Sequence, residues 1–234
     1  SDAQLKVSGE LLASLPGALM QTHLSESPRE IALVKELFPW SKDYTDVYDH
    51  FGLLSDRSLF AHGIHLSERE CARLSESGST VVHCPTSNTF LGSGLMSMPW
   101  LREKDRPVHL GVATDVGGGT SFSPFATMLA AYNVGRASVT GGGLPKQGLS
   151  LPPSQLWWQH TAGAAQALGL AGVVGNLQPG CEADFVVLNP QATPLLARKT
   201  AHANSLEELL FGLIVLGDDR LVERTVVAGA GLAL

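Results

Sequence analysis

The chain has 234 residues with 16 Lys and Arg against 22 Asp and Glu, and its formal charge of −6 argues against nucleic-acid wrapping. Only 16% of residues are charged while 44% are hydrophobic and 25 are Gly, which excludes a disordered chain and describes a core-rich, enzyme-like one. No run of about 18 apolar residues marks a membrane span. Cys71, Cys84 and Cys181 are widely spaced, with no CxxC and no secretory leader, which excludes a disulfide scaffold and points to a reducing cytoplasm.

The chain opens on Ser1-Asp2-Ala3, without an initiator Met, and enters an amphipathic stretch carrying Leu5, Leu11, Leu12 and Leu15 before Pro16-Gly17. The run from Ala18 to Thr22 predicts a strand ending at His23. Ser27-Pro28-Arg29-Glu30 is a capping box with Pro at the first helical position, and it opens a helix with Ile31, Val34, Leu37 and Phe38 inward. A short helix from Thr45 to Phe51 stops at Gly52. Ser58 to Ala61 predicts a second strand ending at His62, and Ser67-Glu68-Arg69-Glu70 caps a helix that closes at Gly78. Thr80 to Val82 predicts a third strand ending at His83, followed by a polar loop from Cys84 to Asn88 and a helix-like stretch from Leu95 to Lys104. Val108 to Thr114 predicts a fourth strand ending at Asp115, then Gly117-Gly118-Gly119 and a helix from Pro124 to Ala137. Four strand-helix units in succession imply parallel strands.

Beyond them the pattern changes. Gly141 to Pro153 reads as a loop, Ser154 to Leu168 as one Ala-rich helix, and Gly175 to Gly180 as turn material. Asp184 to Leu188 and Val222 to Ala228 predict strands on either side of an apolar helix from Ser205 to Leu216. The expected division is 1–175 for the strand-helix units and 176–234 for a small β-containing tail.

His23, His62, His83 and Asp115 each fall at the carboxyl end of a predicted strand, the end at which parallel α/β barrels gather their active sites. Imidazoles and a carboxylate converging there point to a metal: Zn first, with Fe, Mn or Co as alternatives. Glu26, three residues beyond His23, can move a proton without binding the ion. His83 stands open between a site residue and a structural one. His50, His65, His109, His160 and His202 lack a matching partner in the pattern. Cys84 and the pair Trp157-Trp158 read as packing, and the Gly117–Gly119 run lacks the Lys-Ser/Thr of a phosphate loop.

Several stretches carry a family likeness: Thr22-His23-Leu24-Ser25-Glu26, Val34 to Pro39, Val47-Tyr48-Asp49, Ala61-His62-Gly63, His83-Cys84-Pro85-Thr86-Ser87-Asn88, Thr114 to Gly119 and Leu216-Gly217-Asp218-Asp219-Arg220. In these the sequence resembles the guanine deaminases of the metal-dependent amidohydrolase superfamily, from about Ala3 to Gly231. The resemblance implies an α/β fold of the (β/α)8 TIM-barrel type with a small β-sandwich domain, and hydrolysis of guanine to xanthine and ammonia with one zinc ion per site. It implies His23 and His62 as ligands, Asp115 as ligand and base, Glu26 as proton shuttle, His83 as a hydrogen-bonding group near the reacting centre and Asn88 as a residue fixing its loop.

The family's first two ligands form a His-x-His motif that this sequence lacks, His62 and His65 being three apart. Its substrate-orienting Gln and Arg also come from upstream. Four strand-helix units account for half of an eight-stranded barrel, so the chain is expected to be the carboxyl-terminal half, strands five to eight. Such a half exposes two sheet edges and an apolar seam, which predicts a homodimer or pairing with a missing amino-terminal half. The alternatives are another purine or nucleoside aminohydrolase of the same superfamily, and a non-catalytic half-barrel.

Overall fold

The computed structural model describes residues 1–102, 104–138 and 150–232. Four parallel strands form one sheet in chain order: β1 (Met20–Leu24), β2 (Ser58–His62), β3 (Thr80–His83) and β4 (His109–Val112). Parallel neighbours need a crossover, and helices supply each one. After α1 (Asp2–Ser14), α2 (Pro28–Leu37) and α3 (Tyr44–His50) join β1 to β2, and α4 (Glu68–Ser77) joins β2 to β3. Then α5 (Pro85–Phe90) and α6 (Met98–Leu101) join β3 to β4, and α7 (Pro124–Ala137) follows.

The local chemistry explains these boundaries. Ser27 and Ser67 accept from the backbone N–H of Glu30 and Glu70, whose carboxylates reach back to the cap, so both capping boxes form. Gly78 ends α4 at φ +71°, a conformation that a side chain disfavours. β2 is buried along its whole length, as expected of an inner parallel strand covered on both faces. Phe60 on β2 is fully buried and belongs to the same core as Leu24, Leu74, Val81, Met96 and Leu101. β1 and β4 are the sheet's two edges.

The later chain adds α8 (Pro153–Gln159), α9 (Ala162–Ala167), α10 (Pro194–Ala201) and α11 (Leu206–Leu216). A second, antiparallel sheet comprises β5 (Phe185–Leu188), β6 (Val222–Val227) and β7 (Ala230–Leu232). Leu213 and Ile214 of α11 join Phe125 and Met128 of α7 in the main core, so this helix packs with the strand-helix units. No helix among the described residues is long and apolar enough to cross a membrane.

Several elements differ from expectation. The stretch from Cys84 to Asn88 is not a loop: Pro85 starts α5, where its missing N–H costs nothing. The helix expected from Leu95 shrinks to the four residues of α6, and Pro99 lies in its first turn. The single helix expected from Ser154 breaks into α8 and α9 at His160-Thr161. The Thr161 hydroxyl bonds back to the Trp157 carbonyl at 2.9 Å, and Gly163 lies so close to Trp158 that a Cβ would stand 2.6 Å from its ring. Trp157 packs on the core as expected, but Trp158 is 42% exposed. The loop expected from Gly141 lies outside the described residues as far as position 149.

Candidate active site

The carboxyl ends of β1 and β2 are tied together by the backbone before any side chain is considered. Gly63 N–H donates to the Leu24 carbonyl at 2.8 Å, and the N–H groups of Ile64 and His65 donate to that of Ser25 at 3.2 and 3.1 Å. Ser25, His62 and Asp115 all have positive φ, at +47°, +71° and +48°, and the fourth such non-glycine residue described is Ala228. Backbone strain of about 1–3 kcal/mol per residue is thus concentrated where polar side chains converge, which is typical of functional sites.

Each side chain has its own support. The Tyr48 hydroxyl of α3 donates to the His23 carbonyl at 3.0 Å, fixing the end of β1. The Glu26 N–H donates to the Glu30 carboxylate at 2.8 Å, so the capping carboxylate of α2 also anchors the backbone of Glu26. Asp115 lies three residues beyond the end of β4 rather than at it, because the ladder closes at Val112 and Ala113 makes one last bond to the His83 carbonyl. Its loop folds back tightly: a Cβ on Gly119 would stand 1.9 Å from the Thr114 oxygen, so only glycine fits.

Potential ligand atoms of His23, His62 and Asp115 all lie within 4.8 Å of one another. The His23 and His62 rings stack with centroids 5.2 Å apart. His62 Nε2 lies 3.6 Å from Glu26 Oε2 and 3.8 Å from Asp115 Oδ2. The His62 side chain is 1% exposed, and its Nε2 has no hydrogen-bond partner among the described residues. Its Nδ1 is 2.8 Å from Asn88 Oδ1. An amide oxygen can only accept, so Nδ1 carries a proton and Nε2 is the nitrogen that a neutral ring presents as a lone pair. Donors about 2.0–2.2 Å from a shared ion stand roughly 3–4 Å apart, so with ligand atoms within 4.8 Å of one another the two imidazoles and the carboxylate need to close only slightly to hold one divalent cation.

His83 is fully buried and neither ring nitrogen has a hydrogen-bond partner among the described residues. Burial, reinforced by the neighbouring His62, pushes its pKa down to about 3, so the ring is neutral at physiological pH. Burial and then the Asp115 charge push the Cys84 thiol up to about 12, which keeps it protonated and fits its reading as a packing residue.

The structure therefore brings together His23, His62, Asp115 and Glu26, with His83 electrostatically close to His62. Sequence pattern alone missed two neighbours. His65 is not without a partner, since its Nε2 lies 2.9 Å from the Ser93 carbonyl. The Ser93 hydroxyl donates to Glu26 Oε1 at 2.8 Å across 67 positions of sequence, a separation that no local motif reveals.

The chain is similar to known proteins over nearly its whole length. Residues 1–230 match the Amidohydrolase family. The guanine deaminase of Escherichia coli strain K12 is 41% identical over 229 residues, covering 98% of this chain and 50% of that protein. The guanine deaminase of Mus musculus is 37% identical over 213 residues, covering 90% of this chain and 46% of that one. Among solved structures, E. coli guanine deaminase superposes with a TM-score of 0.92 at 39% identity, over 100% of this chain and 52% of that chain. A guanine deaminase from C. acetobutylicum with guanine bound in its active site superposes with a TM-score of 0.85 at 30% identity, over 100% and 52% of the two chains. The chain thus spans about half the length of these relatives and matches their carboxyl-terminal half.

Proposed function

Because the chain belongs to the amidohydrolase family, whose members are generally metal-dependent enzymes of the TIM-barrel type, we propose that it carries the metal-ligating and proton-transfer residues of a guanine deaminase. The observation that carries this reading is the convergence of His23, His62 and Asp115 within 4.8 Å, with Glu26 3.6 Å from His62 Nε2. Relatives named guanine deaminase supply the substrate. The reaction is hydrolysis of guanine to xanthine and ammonia.

Zinc is the ion we assign, one per site, held by His23, His62 and Asp115, a donor set without thiolate that suits it. When bound, it supplies a water acidified to a pKa of about 7, so a nucleophile is available at neutral pH. Asp115, beside the ion, would orient the attacking water and accept its proton as the new C2–O bond forms. Glu26 would take that proton from Asp115 and deliver it to the ring nitrogen adjacent to C2. The second proton passes through Asp115 and Glu26 to the amine, the C2–N bond breaks, and ammonia leaves as the C2 carbonyl of xanthine forms. His83 remains neutral and acts as a hydrogen-bonding group beside the reacting centre.

On this proposal residues 1–175 supply the second half of the barrel and 176–234 the tail with strands of the small β domain. The amino-terminal half, or a second copy, covers the open edges of β1 and β4, and the enzyme works in the cytoplasm on a free purine. The test is side-by-side turnover of guanine and adenosine by the zinc-loaded enzyme. Selective release of xanthine supports the proposal, and preference for adenosine overturns it.

A further inference from the structure

We infer that Ser93 is a positioning residue for the proton-transfer carboxylate: its hydroxyl fixes Glu26 Oε1 so that Oε2 is the oxygen that handles the proton. The inference rests on the proposed role of Glu26. Ser93 Oγ donates to Glu26 Oε1 at 2.8 Å, whereas the other carboxylate oxygen is the one 3.6 Å from His62 Nε2. The two oxygens therefore have different tasks. A carboxylate on a three-bond side chain is free to rotate, and a hydrogen bond to one oxygen restricts which lone pairs face the reacting atoms.

Ser93 is itself held by groups outside the catalytic set. Its N–H donates to the Asn88 carbonyl at 2.9 Å, and the His65 ring closes on its carbonyl at 2.9 Å. The same Asn88 uses its side chain on His62 Nδ1 at 2.8 Å. The segment from Asn88 to Ser93 thus sets a metal-binding imidazole at one end and the proton-transfer carboxylate at the other, which keeps the two in fixed relation. Both backbone contacts of Ser93 survive truncation of its side chain, so Ser93→Ala removes the hydroxyl contact alone.

The test compares wild type, Ser93→Ala and Ser93→Thr in two measurements. In protein labelled with carbon-13 at glutamate carboxyls, with the Glu26 signal assigned through Glu26→Gln, that signal should shift in Ser93→Ala and return in Ser93→Thr. In guanine turnover, Ser93→Ala should lower kcat about tenfold, with KM and bound zinc within about twofold of wild type, and Thr should restore most of the loss. An unmoved carboxylate signal, or an unchanged kcat, overturns the inference. Wild-type protein that shows no guanine turnover contradicts the proposed function instead, and the carboxylate signal still decides whether Ser93 holds Glu26.

Discussion

The Nδ1 of His62 lies 2.8 Å from Oδ1 of Asn88, and this single contact decides which nitrogen of a buried imidazole faces the cluster of His23, Asp115 and Glu26. A histidine that binds a metal through Nε2 depends on a partner at Nδ1 to fix its tautomer and its ring orientation. Asn88 fills that role from α5, the short helix that follows β3. Replacing Asn88 with Ala should therefore weaken zinc binding about 10- to 100-fold without removing a ligand. Competition with a chelator of known affinity measures it, and unaltered affinity would show that His62 orients itself.

The sheet's stability rests on its inner strands. Phe60 has no exposed surface and joins Leu24, Tyr48, Val81 and their neighbours in one core. Phe60→Ala removes the ring and leaves a cavity that flanking strands cannot fill, so the expected loss is about 3–5 kcal/mol. Denaturant unfolding reads this directly. A loss below about 1 kcal/mol would mean that β2 is less tightly enclosed than its burial indicates.

Acid should destabilise the fold through buried histidines. Burial holds the His160 pKa below its ordinary 6.5, against a smaller opposing effect of the Leu156 carbonyl, and holds that of His83 at about 3. The folded state thus binds fewer protons than the unfolded chain, so this stability is complete above about pH 6.5 and is lost progressively as pH falls toward the folded values. Each group contributes a slope of at most about 1.4 kcal/mol per pH unit. The midpoint of thermal unfolding should drop between pH 7 and pH 5, and His160→Asn should flatten part of that drop. A variant with the wild-type slope would contradict the assignment to His160.

Much of this architecture is legible in the sequence because its signals are local. Ser27 and Ser67 with their glutamates mark two helix starts, Pro124 and Ala137 bound α7 as expected, and Ser205 caps α11. The alternation of strand and helix brings His23, His62 and Asp115 to one end of one sheet. Contacts that depend on tertiary placement are not legible in the same way. Ser93 reaches Glu26 across 67 positions, and His65 reaches Ser93 across 28. α5 hides in a polar stretch whose one helical signal is Pro85, and the break between α8 and α9 comes from Gly163 fitting against Trp158. The missing His-x-His motif is legible too, since no pair of histidines two apart occurs anywhere in the chain.

On the proposed function Glu26 moves protons beside an ion held by other residues. The most direct test follows the ultraviolet change of guanine to xanthine in zinc-loaded protein, wild type against Glu26→Gln, with zinc content measured on the same samples. Wild type should turn guanine over, and the variant should lose about 10²- to 10⁴-fold in rate with zinc retained. Equal turnover by Glu26→Gln would contradict the role of Glu26, and loss of zinc with that substitution would make Glu26 a ligand instead.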